Sequence, residues 1–184
     1  MNQEKIKEGI RLILEGVGEE IEREGLVDTP KRVARMCEEL LQGMNQSPRE
    51  HLEKVFTVKD NEWIIVKDII FYSVCEHHLL PFFGKVHIGY IPQGKVVGIS
   101  KLVRTVEVFA ARLQMQERLT GQVADALMEF LNPRGVVVVV EAEHMCMTMR
   151  GVKNPGGQTI SLAKRGDESL SSSLEEALLR YGKE

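Results

Sequence analysis

Ser73-Val74-Cys75-Glu76-His77-His78 is the stretch around which this 184-residue chain is organised. Cys75 and His78 stand three apart, a spacing at which two side chains of one turn can grip a single ion. A thiolate and an imidazole together suit Zn²⁺. Such a site needs at least one further protein ligand, and only Cys37 and Cys146 remain among the cysteines. Cys146 lies in Glu141–Arg150 (EAEHMCMTMR), which reads as a strand. Alternation then puts His144, Cys146 and Arg150 on one face. If that face looks at the Cys75/His78 turn, three ligands converge with His77 and His144 beside them. Three ligands and an open position describe a catalytic zinc. A closed structural site with His77 or His144 as fourth ligand remains the competing reading.

The flanks make the turn part of a sheet. Trp63 to Tyr72 is rich in β-branched residues and reads as a strand that delivers it. Leu79–Phe83 reads as an apolar loop and Gly84–Pro92 as a second strand. In that strand Val86, Ile88 and Tyr90 face one way, and Lys85 and an exposed His87 the other. Gln93-Gly94 is a turn signal before a short return strand, Lys95–Ile99. Ser100 then caps a helix carrying Leu102, Val103, Val106, Phe109, Ala110 and Leu113. Gln114–Gln116 marks a break, and a second helix continues to Asn132-Pro133. Val136–Val140 is apolar on both faces, as a central strand is. Gln158–Ala163 is the last strand, and Leu174–Leu179 a short last helix.

Upstream, residues 4–24 read as a helix that Gly16 and Gly18 weaken. A second helix opens at Asp28-Thr29-Pro30, with Thr29 as N-cap and Pro30 at the first helical position. Cys37 falls on its apolar stripe and reads as core; Arg32 lies off the stripe. Residues 44–60 form a polar connection in which His51 has no partner in the pattern. The whole reads as one α+β domain over 1–184, with N-terminal helices in 1–48 and a core in 62–184. That core is an antiparallel sheet with a helix pair on one face.

The composition is that of a globular protein, 43% hydrophobic and 28% charged. A net charge of −3 argues against a nucleic-acid partner. No apolar run approaches the roughly 20 residues that span a bilayer, and the charged start Met1–Lys7 is no signal peptide. Three cysteines give no disulfide scaffold, so a reducing cytoplasm is the expected compartment.

Lys101 and Arg104 share a face at the start of the helix opened by Ser100, where free N–H groups and the dipole favour an anion. Arg150 adds a cation on the metal side. Gly94–Lys101 lacks the G-K-[ST] of a phosphate-binding loop, so a nucleotide would bind without one. Glu117, in Gln116-Glu117-Arg118, could accept two N–H groups from a purine edge.

Four segments together resemble GTP cyclohydrolase I: Ser73–His78, Gly98–Arg104 (GISKLVR), Gln114–Thr120 (QMQERLT) and Glu143–Gly151 (EHMCMTMRG). Leu26–Arg32 fits as well, and the resemblance spans about residues 8 to 166. It implies the tunnelling fold, with subunits in a homodecamer of two face-to-face pentamers and active sites between subunits. It implies hydrolytic opening of the guanine ring of GTP, with release of formate and formation of 7,8-dihydroneopterin triphosphate, the entry to tetrahydrofolate and related pterins. It makes Cys75, His78 and Cys146 the zinc ligands, His77 the proton donor to the purine, and His144 a helper near the ribose and phosphates. Glu117, with Gln116 beside it, would hold the guanine edge, and Ser100 the ribose. Lys101, Arg104, Arg150 and Arg32 would take the triphosphate, Arg32 from a neighbouring subunit. A pterin-binding relative acting on another substrate is the alternative within the fold. Two departures, Ile21 where the family often has Pro and Asp167–Ser169 in place of an aromatic, touch the first helix end and the C-terminal tail.

Overall fold

The computed structural model describes residues 1–59 and 61–180. Its contacts divide the chain into two units, Met1–Gln42 and Gly43–Glu184.

The first unit holds α1 (Gln3–Gly16) and α2 (Thr29–Leu40). Asn2 caps α1, its side chain accepting from the Lys5 N–H at 3.0 Å. The helix stops at Gly16 instead of running to residue 24. Gly18 takes φ +84, a left-handed turn position that costs glycine little, and the Glu19 N–H closes on the Leu14 carbonyl. In α2 the cap position belongs to Asp28, so Thr29 is the first helical residue and not the cap. Cys37 is only half-buried, and Met36 and Leu40 are exposed; Ala34, which is not on the expected apolar stripe, is the buried residue of α2.

A 3-10 turn (Gln42–Asn45) begins on the last residue of the first unit, and α3 (Arg49–Leu52) and β1 (Val55–Thr57) follow in the second, so the expected polar connection is partly structured. There follow β2 (Ile64–Cys75), β3 (Pro81–Ile91), β4 (Lys95–Val97), α4 (Ile99–Ala110), β5 (Leu113–Gln114) and α5 (Gln116–Leu131). The chain ends in β6 (Gly135–His144), α6 (Met145–Thr148), β7 (Gln158–Gly166) and α7 (Glu168–Arg180). The main sheet has the order β5-β2-β3-β6-β7, antiparallel throughout except for the short parallel β2–β5 pair. β4 does not return along β3: it pairs with β1 in a separate two-stranded sheet. Pro81 to Phe83 are strand and not loop, with Pro81 first in β3, where its missing N–H is tolerated.

The core explains the layering. Val86, Ile88 and Tyr90 of β3 and Val136, Val138 and Val140 of β6 pack with Leu102, Val106, Leu119, Val123 and Leu127 of α4 and α5. Val137 and Val139 point the other way and meet Leu174 and Leu178 of α7. That second layer is why the valine run is apolar on both faces. The α+β order, two strands, a helix pair on one face, then two strands, is the one expected; α7 begins earlier than expected and covers part of the second face.

Register gives the sheet two ends. At one, Val74 faces Pro81, Phe82 faces His144 and Glu143 faces Gln158. At the other, Ile64 faces Tyr90, and Gly135 faces both Ile91 and Gly166. His87 is not exposed as expected. β2 carries a bulge at Lys67–Asp68, and there the Asp68 N–H reaches His87 Nδ1 at 3.2 Å while burial lowers the pKa of the ring.

Candidate active site

The first end of the sheet gathers the chemistry-bearing residues. β2 runs into a tight turn in which Leu79 N–H donates to the Cys75 carbonyl and Cys75 N–H to the Leu80 carbonyl, both at 2.8 Å. Glu76 ties this turn to α5. Its N–H donates to the Gln114 carbonyl at 3.0 Å, and its carboxylate takes the Arg118 guanidinium in a two-pronged pair, Nη2 to Oε1 at 2.9 Å. Arg118 holds the Glu76 carboxyl below the ordinary range by that hydrogen bond. No sequence pattern pointed to this pair; the one hint is a charged residue set between two ligand candidates. Arg118 grips Glu76 and not a ligand candidate, so it acts on the turn as a whole: Arg118→Ala is expected to weaken any metal held by this turn by less than the roughly 10-fold that loss of a ligand's own hydrogen-bond partner brings. Competition against a chelator of known affinity measures it.

The Cys146 segment corrects the reading of Glu141–Arg150 as one strand. β6 ends at His144 and the next residues make one helical turn. The neighbours have run out there: His144 faces Phe82, next to the first residue of β3, and Glu143 faces the first residue of β7. With no partner for its backbone, the chain coils. Alternation therefore does not place Cys146 and Arg150. The three ligand candidates meet all the same: the ligand atoms of Cys75, His78 and Cys146 lie within 4.8 Å of one another.

The donor set fits a thiophilic cation. Burial, then the facing Cys75 thiol, pushes the Cys146 thiol up, while Arg150 pulls it down. Two thiols so close resist joint ionisation unless a cation sits with them. Arg150 Nη1 also stands 3.3 Å from His78 Nε2.

His77 and His144 flank this cluster without joining it. His77 is exposed, its Nδ1 at 4.0 Å from Cys75 Sγ. His144 stacks flat on Phe82, with ring centroids 4.7 Å apart and planes within 1°. Its Nε2 lies 2.7 Å from Gln116 Oε1. Burial lowers its pKa, and the charge of Glu117 acts in the opposite sense. Phe82 was hidden to sequence reading by its assignment to a loop.

Glu117 is exposed in the first turn of α5. Gln116, expected beside it as a substrate contact, turns inward instead. It is 1% exposed, and its amide nitrogen donates to the Val140 and Thr159 carbonyls at 2.9 Å each. Both of its N–H groups are used and His144 is on its oxygen; one lone pair remains, but the side chain is buried.

The residues expected to bind an anion stand elsewhere. Gly98, not Ser100, caps α4; Ser100, Lys101 and Arg104 follow in its first two turns. The helix then runs toward the Cys75 end of the sheet, where the Ala110 carbonyl accepts from Ser73 Oγ at 2.7 Å. Ten residues at 1.5 Å each separate Ser100 from that point, about 15 Å. The structure thus brings Cys75, His77, His78, Gln116, Glu117, His144, Cys146 and Arg150 to one end, and keeps Ser100, Lys101 and Arg104 apart. Arg32 belongs to the first unit, exposed and 3.6 Å from Asp28.

The comparisons with known proteins agree with one another. The family model described as GTP cyclohydrolase I matches residues 6–182. A GTP cyclohydrolase 1 from Carboxydothermus hydrogenoformans is 64% identical over 167 residues, covering 90% of this chain and 87% of its own. One from Clostridium kluyveri is 59% identical over 166 residues, 90% of each chain. One from Bacillus mycoides is 59% identical over 182 residues, covering 98% and 96%.

Proposed function

The chain belongs to the GTP cyclohydrolase I family, an enzyme of the hydrolase class, and on that premise we propose how its residues divide the work. The reaction opens the imidazole ring of the guanine of GTP with water, releases formate and forms 7,8-dihydroneopterin triphosphate for tetrahydrofolate and related pterins. Cys75, His78 and Cys146 hold the metal, proposed as zinc. The observation that carries this is the convergence of three ligand atoms within 4.8 Å, with His77 Nδ1 4.0 Å from one of the thiols. A zinc ion held by these three residues would supply Lewis acidity and lower the pKa of water toward neutrality.

The protein's own groups do the rest. His77, exposed beside the ligand turn, gives the purine its proton as the ring opens. His144, kept toward its neutral form by burial, moves a proton on the ribose side. Glu117 accepts the N–H groups of the guanine edge and rejects purines that leave its carboxylate unpaired. Ser100 meets the ribose, and Lys101, Arg104, Arg150 and Arg32 take the triphosphate.

The separation of the α4 residues from the metal end supports a site completed by a second copy, with a homodecamer of two pentamers as the proposed assembly. The exposed apolar residues of the helical unit, Leu12, Ile13, Val17, Met36 and Leu40, fit surfaces that subunits cover. The free thiols of all three cysteines suit a reducing compartment, and the cytoplasm is the proposed location. Among the described residues no helix is long and apolar enough to cross a membrane.

The test is formate release from GTP by purified protein, followed with the absorbance of the pterin product. Formate and pterin that vanish on chelation and return with zinc are expected. A folded, metal-loaded protein that releases no formate would sink the reading and favour a structural ion.

A further inference from the structure

Gln116 is a glutamine with no freedom. Its side chain is 1% exposed at the first residue of α5. Its Nε2 faces two backbone carbonyls at 2.9 Å, Val140 in β6 and Thr159 in β7. Carbonyls only accept, so the amide can sit one way round: nitrogen toward the strands, oxygen toward His144. An amide oxygen also only accepts. The His144 Nε2 at 2.7 Å must therefore be the one that carries hydrogen. Phe82, stacked on the ring, fixes its plane. The backbone of Gln116 is held as well, its carbonyl accepting from Thr120 Oγ1 at 2.7 Å, with Ser161 Oγ on that hydroxyl. Nδ1 of His144 has no hydrogen-bond partner among the described residues.

We propose that Gln116 is a positioning residue for His144, whose buried amide locks the ring in the Nε2–H tautomer and leaves the bare, unpartnered Nδ1 as the nitrogen offered to the substrate. The inference rests on the acid–base role given to His144 above. The balance is simple. Nε2–H stays bonded to the amide oxygen throughout, and Nδ1 keeps its lone pair. No bond of Gln116 is made or broken. Glu117, one residue on, is left free for the substrate because Gln116 is not.

Gln116→Met keeps the length and removes every hydrogen bond. The Kd of GTP, measured by titration under chelation so that turnover is absent, and the KM are expected to stay within about twofold of wild type. The kcat should fall roughly 10- to 100-fold, part of what positioned acid–base catalysis supplies. In a His144→Ala background the same replacement should change kcat by less than about twofold, because both act through one ring. A weakened Kd with kcat preserved, or fully additive losses, overturns the proposal.

Should Gln116→Met not fold, the wild-type protein still decides. Solid-state ¹⁵N spectra of histidine-labelled protein at about pH 8, where an ordinary imidazole is neutral, are expected to show His144 protonated at Nε2 and bare at Nδ1. The His144→Ala spectrum assigns the signal, and the reverse tautomer overturns the lock. A His144→Ala enzyme as fast as wild type removes the acid–base role instead, a separate failure that leaves the spectrum unchanged.

Discussion

Cys146→Ala is expected to give a folded protein that has lost its metal and turns over GTP roughly 10³-fold more slowly or worse. The size follows from Lewis-acid stabilisation of several kilocalories per mole, at about 1.36 kcal/mol per factor of ten. The fold should survive because Cys146 is half-buried in a single helical turn beyond the last paired residue of β6. Losing one sulfur there costs little packing. Two ligands, Cys75 and His78, then remain on one turn, too few for a tight site. Metal content by elemental analysis and turnover should fall together. Cys37→Ala is the control, since Cys37 lies in α2 of the first unit, and should change neither. A Cys146→Ala enzyme with full metal content and full rate would remove Cys146 from the centre. The closed-site alternative makes a different forecast, metal loss from His77→Ala or His144→Ala. The Nε2 of His144 is already committed to Gln116, which weighs against that ring as a fourth ligand through this nitrogen.

What the sequence disclosed depended on distance along the chain. Cys75 and His78 were legible as a pair because both sit in one turn, and the valine run of β6 because burial on both faces is written in five consecutive residues. The partner Cys146 is legible by residue type, but the strand expected to present it stops two residues short, at His144. Where β6 loses its neighbours depends on where β3 and β7 begin, at positions far away in sequence. The same limit hid β4. A return strand after a Gly turn reads as a hairpin, yet its partner is Val55–Thr57. The direction of the Gln116 side chain is illegible for the same reason. Its neighbour Glu117 suggested a shared outward role, while its orientation is dictated by carbonyls of β6 and β7, 24 and 43 residues away. The Glu76–Arg118 pair spans 42 residues and left no pattern to read. Local spacing carried the chemistry; long-range register decided which way each side chain turned.

That register also sets up the strongest test of how the site is completed. A variant without the metal, Cys146→Ala, and one without the clamp, Lys101→Ala with Arg104→Ala, should each be nearly inactive alone. Lys101 is half-buried and Arg104 exposed at the far end of α4, so their loss should leave the fold intact. If the clamp of one copy serves the metal end of another, mixed assemblies contain sites that draw an intact metal end from one parent and an intact clamp from the other. Equal amounts unfolded and refolded together should then recover about a quarter of wild-type activity, the product of two independent halves. If each chain builds its own site, every site lacks one part or the other, and mixing recovers nothing. The geometry favours recovery. From Ser100 to Ala110 the helix covers about 15 Å, and the Cys75 turn lies beyond that end, past the Ser73 hydroxyl that bonds the Ala110 carbonyl. An arginine side chain cannot close that gap from the start of α4, whereas a second copy can bring its own α4 to the metal end directly.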